Sequence, residues 1–184
     1  MAKRYQDLET SVKQSFQRSL TKSVNEILLC NHEHPMIFNE EVTNDFMEEV
    51  FTDMRSKKYN QKWSEEELEF EDDELKNMVQ KKVNALRNKK PTEKQLEYFI
   101  GMCDNLNKNI ASPDDYLLFL NTMSKLKEEY NDKGPATEKQ IRAVKQQWET
   151  VIGEELNIGD NITRKEVREY FNKIESALQS MLGK

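Results

Sequence analysis

The sequence predicts an all-α protein, with an N-terminal three-helix region followed by a C-terminal bundle of two duplicated helical hairpins. Three observations predict it. Apolar residues recur at i, i+3, i+4 and i+7 along much of the chain, the spacing of one helix face. Glycine is absent from residues 1–100, and no alternating run of β-branched residues reads as a strand. Finally, Thr92-Glu93-Lys94-Gln95 recurs 45 residues later as Thr137-Glu138-Lys139-Gln140, with Leu96, Phe99, Cys103 and Leu106 aligning to Ile141, Val144, Trp148 and Val151.

In chain order, Leu8, Val12, Phe16, Leu20, Val24 and Ile27/Leu28 form the stripe of an opening helix over about residues 3–29. It closes at Cys30-Asn31-His32-Glu33-His34-Pro35, because proline disfavours helix at the residue before it. Val42, Phe46, Val50 and Met54 mark a second helix from about 40 to 57. Ser64-x-x-Glu67 reads as a capping box that opens a third, running to about Asn88 with Leu75, Met78, Val79, Val83 and Leu86 inside. Pro91 then separates residues 1–90 from a duplicated domain over 91–184, itself divided into 91–133 and 134–184 at Asn131-Asp132-Lys133-Gly134-Pro135.

Helices are expected in that domain at 92–107, 113–130, 138–152 and 164–182. Their openings are Thr92-x-x-Gln95, Ser112 with Pro113 at the first helical position, Thr137-x-x-Gln140 and Thr163-x-x-Glu166. Ser112, Asp115, Tyr116, Phe119, Leu120 and Met123 align at an offset of 51 with Thr163, Glu166, Val167, Tyr170, Phe171 and Ile174, so the second copy has six extra loop residues.

Composition narrows the function. With 34 acidic against 28 basic residues and net charge −6, the chain is no general polyanion binder, although local basic faces remain open to it. No apolar run has membrane-spanning length and no signal peptide is read. Two cysteines without framework spacing point to a reducing, cytoplasmic setting. Phosphate-cradling loops, nucleophile elbows and dinucleotide fingerprints all need glycines that residues 1–100 lack. The expectation is a protein that is not an enzyme.

Four features are candidates for chemistry. Glu65, Glu66, Glu67, Glu69, Glu71, Asp72, Asp73 and Glu74 place eight acids in ten residues, with Lys76, Lys81 and Lys82 following. As a helix this order complements the macrodipole; as a surface it is a negative strip fitted to a basic, nucleic-acid-binding face. Arg142, Lys145, Arg164, Lys165, Arg168 and Lys173, beside Tyr170, could form a cationic patch, diluted by interspersed glutamates. Cys30, His32 and His34 are the residue types of a zinc site, structural or hydrolytic, or of a Cys–His nucleophile pair, but lack an evident fourth ligand and orienting group; otherwise they belong to a polar connecting loop. The repeated Thr-Glu-Lys-Gln reads as a helix cap before it reads as a binding signature.

The openings Pro91–Leu96 and Ala136–Ile141 resemble a short helical-hairpin module of phage and bacterial DNA-metabolism proteins, often appended to annealing or nuclease domains. The second helices here, Ser112–Met123 and Thr163–Ile174, carry larger side chains than that module's Ala- and Ser-rich ones. The resemblance covers the C-terminal half and carries no catalytic residues; residues 1–90 resemble no named family. It implies phage or mobile-element DNA biology. The resulting expectation is a phage-type interaction protein that binds and inhibits a nucleic-acid-processing protein, such as a CRISPR effector, through the acidic strip. The alternative is an accessory protein of replication or recombination that binds nucleic acid directly. No cofactor is expected beyond a structural zinc at Cys30, His32 and His34.

Overall fold

In a computed structural model of the chain, residues 3–57, 62–65, 67–71, 73–159 and 161–183 are described. The fold is all-α, with seven α-helices and one minimal sheet among those residues. Two compact units divide the chain: Met1–Pro91 with Pro113–Thr122, and Thr92–Ser112 with Met123–Lys184.

The first unit opens with β1 (Lys3–Arg4), a 3-10 turn (Tyr5–Asp7) and α1 (Thr10–Cys30). A 3-10 turn (Pro35–Phe38), α2 (Asn44–Ser56), a further turn (Lys62–Glu65), β2 (Leu68–Glu69) and α3 (Glu74–Arg87) follow. The α1 stripe predicted from spacing is the centre of the core: Phe16, Leu20, Val24 and Leu28 are at most 1% exposed, packed with Val50, Met54, Val79 and Val83. Burying each such side chain contributes roughly 1.5–3 kcal/mol.

Three boundaries differ from the sequence expectation, each because a distant residue competes with local propensity. The opening helix begins at Thr10, not residue 3, because Lys3–Arg4 pair in parallel with Leu68–Glu69 and Tyr5 turns inward onto Phe16 and Phe70. The second begins at Asn44 because Gln80 of α3 holds the chain before it: its side chain accepts from Val42 N–H (2.7 Å) and donates to the Glu40 carbonyl (3.0 Å). Thr43 then caps α2 by accepting from Phe46 N–H. The third begins at Glu74 rather than Ser64, and β2 is a strand where none was expected.

The second unit holds α4 (Glu93–Asn105), the end of α5 (Tyr116–Lys133), α6 (Glu138–Ile152) and α7 (Arg164–Leu182), within three residues of the expected bounds. Capping boxes form as predicted at Thr92, Thr137 and Thr163, where the backbone N–H donates to the third helical residue's side chain at 2.9, 2.9 and 2.7 Å. Ser112 does not cap α5. Asp115 does, its carboxylate accepting from Leu117 and Leu118 N–H at 2.9 and 3.3 Å.

The pairing of α6 with α7 has a specific form. Ala136 N–H donates to the Ile162 carbonyl and Arg164 N–H to that of Gly134, so both helices start side by side and run in the same sense. Residues 153–163 make the return. Gly153, at φ 83°, turns the chain out of α6, and Leu156, Ile158 and Ile162 drop into the core with Ile141, Val144, Val167 and Ile174. Fifteen helical residues rise about 22 Å, which eleven extended residues span with slack. That is the structural use of the six extra loop residues.

Candidate interaction surfaces

Around β2, burial alternates: Glu67, Glu69 and Glu71 are exposed, while Leu68 and Phe70 are half-buried against the core. Phe70 stacks on Tyr5 and tilts against Phe16, with ring centroids 5.4 Å apart in both pairs. The carboxylates therefore project in one row, repeating about every 6.6 Å along an extended backbone. That repeat is of the order of the spacing between successive phosphates on one nucleic-acid strand. Asp73 is exposed at φ 61°, and Glu74 opens α3. Arg4 lies beside Glu69 in the strand register and offsets part of the charge. Glu66 and Asp72 lie outside the described residues, as does the side chain of Glu65. Residues 67–71 of the strip are thus extended, not helical, and their alternating Glu-Leu-Glu-Phe-Glu is the signal that identifies them as such.

The six basic residues of the last two helices divide among several environments. Arg142 and Lys145 line a groove of about 810 Å3 along α6, floored by Ile141 and Leu156 and edged by Glu149 and Glu155. Lys173 lies over the Tyr170 ring at 5.1 Å and lines a separate cleft with Glu166 and Glu169. Arg164 stacks on Tyr130 at 4.3 Å and donates to the Pro135 carbonyl, Arg168 pairs with Asp132, and Lys165 is exposed. Arg164 and Arg168 thus secure the α5–α6 connection.

At the end of α1, Cys30 is exposed and His32 half-buried, its carbonyl accepting from the Asn121 amide at 2.6 Å. His34 is buried edge-on to Phe46. Its Nδ1 accepts from Met36 N–H at 3.1 Å, which assigns the ring proton to Nε2, 2.8 Å from a Glu49 carboxylate oxygen. Nδ1 is thus committed to the Pro35–Phe38 turn and Nε2 to Glu49 of α2. Among the described residues no group of three or more His, Cys, Asp or Glu is placed to hold a metal ion, so Cys30, His32 and His34 are not gathered as a ligand set.

Each displaced titration has a structural cause. Burial alone would raise the Asp53 carboxyl, but hydrogen bonds from Lys57 and Ser23 outweigh it and hold it below its usual value. Hydrogen bonds to Asp53 and then Glu26 raise the Lys57 ammonium. Lys108 and Lys133 depress Glu129, and the Thr163 hydroxyl and backbone depress Glu166 in its capping box. Burial pushes the Cys103 thiol up, with Asp104 adding to it.

One surface escaped sequence reasoning. A shallow groove of about 700 Å3 runs along α1 beside α3, lined by Gln14, Arg18, Lys22, Asn25 and Lys82, with Glu26 at its end. The signal was charge per helix: α1 and α3 together carry seven Lys or Arg against two Glu, in a chain with an overall acidic excess.

Comparison with protein-family models, with curated proteins and with solved structures finds no match to this chain. Among the described residues no helix is long and apolar enough to cross a membrane.

Proposed function

We propose that this chain is a non-enzymatic binding protein that attaches to, and inhibits, a protein of nucleic-acid metabolism or defence. The observation that carries this reading is the row Glu67, Glu69 and Glu71, exposed on one side of a segment whose other side is anchored in the core. An anchored row keeps its spacing without ordering cost on binding, and its field speeds approach to a basic surface. Arrest of a nuclease such as a CRISPR effector is the most concrete form, and the resemblance of Thr92–Leu96 and Thr137–Ile141 to phage DNA-metabolism modules supports that setting.

The test is capture of partners from host lysate with and without nuclease treatment, using the native chain and a Glu67→Lys, Glu69→Lys, Glu71→Lys variant. A partner that survives nuclease and is lost by the variant supports the reading. Equal capture by both proteins removes the row from the mechanism. A second reading, direct contact with nucleic acid by the second unit, is favoured by one observation, the placement of Arg142 and Lys145 together on the α6 groove. Partners that vanish with nuclease would bring it forward.

A further inference from the structure

We infer that the groove on α1 and α3 is a binding site for the phosphodiester backbone of nucleic acid, on a surface that the acidic row does not use. Phosphate oxygens are held in protein complexes by Arg and Lys together with Gln, Asn and hydroxyl side chains. The groove presents that set. Arg18 uses only Nε internally, donating to the Gln14 carbonyl at 3.2 Å, and its two terminal nitrogens face outward without a partner among the described residues. Lys82 and the side-chain amides of Gln14 and Asn25 likewise have no partner among the described residues. Lys22 makes a long contact to Glu26, 3.8 Å, feels the Asp53 carboxylate through space, and is 67% exposed.

Glu26, the one carboxylate of the lining among the described residues, is already paired with Lys57. That pairing, which Lys57 shares with Asp53, offsets part of its charge against Arg18, Lys22 and Lys82. Elsewhere acids interrupt the bases: α7 interleaves Glu166, Glu169 and Glu175 with its cations. On α1 no acid occurs before Glu26, and Gln14, Arg18, Lys22 and Asn25 follow one another along one face. Their row is about 16 Å long, enough for two or three successive phosphates. Among the described residues no aromatic side chain lines the groove, so its recognition rests on the backbone and is indifferent to sequence.

Three phosphate contacts give a salt slope near −2.7 for duplex DNA, about a 40-fold loss of affinity between 50 and 200 mM salt. The experiment is fluorescence anisotropy of a labelled mixed-sequence DNA duplex against the full chain across that range. It is repeated with an Arg18→Gln, Lys22→Gln, Lys82→Gln variant and with an Arg142→Gln, Lys145→Gln variant. Circular dichroism verifies that each is folded, and polyglutamate serves as competitor. The expected result is low-salt binding with a slope between about −2 and −3, at least a tenfold loss in the first variant and little change in the second. Absence of binding at low salt overturns the assignment, as does an unaffected first variant. Competition by polyglutamate as effective as by DNA also overturns it, giving the groove to an acidic protein segment instead. None of these outcomes bears on the acidic row, whose test uses different residues.

Discussion

Replacing Arg87 by methionine tests the tertiary lock of the first unit. One guanidinium nitrogen of Arg87 donates to the carbonyls of Met36, Ile37 and Asn39 at 2.9, 3.2 and 2.7 Å, and another pairs with Asp115. A single side chain at the end of α3 thus terminates the Pro35–Phe38 turn and holds the residue that caps α5. The pair is largely buried, at 16% and 23% side-chain exposure, and methionine keeps the volume of the aliphatic stem. Breaking a buried pair from one side costs about 3–5 kcal/mol, because the remaining charge loses its partner. Partial solvation of Asp115 and release of the unpartnered Arg87 Nε place this case at the low end, about 3 kcal/mol. With a urea dependence near 2 kcal/mol per molar, the midpoint should fall by about 1.5 M. Far-UV circular dichroism in urea gives the value, and a cycle with Asp115→Asn isolates the pairwise part. A loss below about 1 kcal/mol, the range of a surface ion pair, would refute the clamp.

Thr137→Ala should cost about 1 kcal/mol by removing the hydroxyl that accepts from Gln140 N–H at 3.2 Å, and thermal melts of this variant and Thr92→Ala should shift alike because the caps match. Acid should destabilise the fold through Asp53, Glu129 and Glu166, whose folded pKa values lie below the ordinary 3.8 for Asp and 4.5 for Glu. The unfolded chain binds more protons there, so their contribution is complete above the ordinary values and disappears as pH falls through the lower folded ones. Melting temperature followed downward from pH 6 should drop below about pH 4.5, less steeply in Asp53→Asn; a profile identical to the native chain's would exclude Asp53.

What was readable in the sequence is what short-range chemistry decides. The stripe through Phe16, Leu20, Val24 and Leu28 and the boxes at Thr92, Thr137 and Thr163 depend on residues within a few turns of one another, and the structure follows them. The unread parts depend on partners far along the chain. Gln80 acts on Val42, Arg87 on Asn39 and Lys3 on Glu67, separations that periodicity cannot reveal. Asp115 was visible only as the aligned partner of Glu166, yet it takes the capping role given to Ser112, because Arg87 neutralises it in place. The α1 groove was missed because its cations come from two helices, each of which by itself reads as an ordinary solvated face.

The acidic segment shows how a magnitude decides between two readable patterns. As a helix from Ser64, it would set Glu65 against Glu69, Glu67 against Glu71 and Glu69 against Asp73 at i, i+4, costing about 0.2–0.5 kcal/mol per like-charge pair. That penalty alone is modest, and the favourable order of acids before bases offsets part of it. Burial is the larger effect. In a helix Leu68 and Phe70, two residues apart, point to nearly opposite sides, so only one could reach the core. In an extended chain both face the core cluster, Phe70 against Tyr5 and Phe16, and the second apolar side chain contributes up to roughly 1.5–3 kcal/mol. Extension therefore wins on apolar packing, and alignment of Glu67, Glu69 and Glu71 on the opposite side follows from the same alternation. A Phe70→Ala variant should consequently lose the row's fixed spacing along with stability, coupling the core to the surface on which partner binding is proposed.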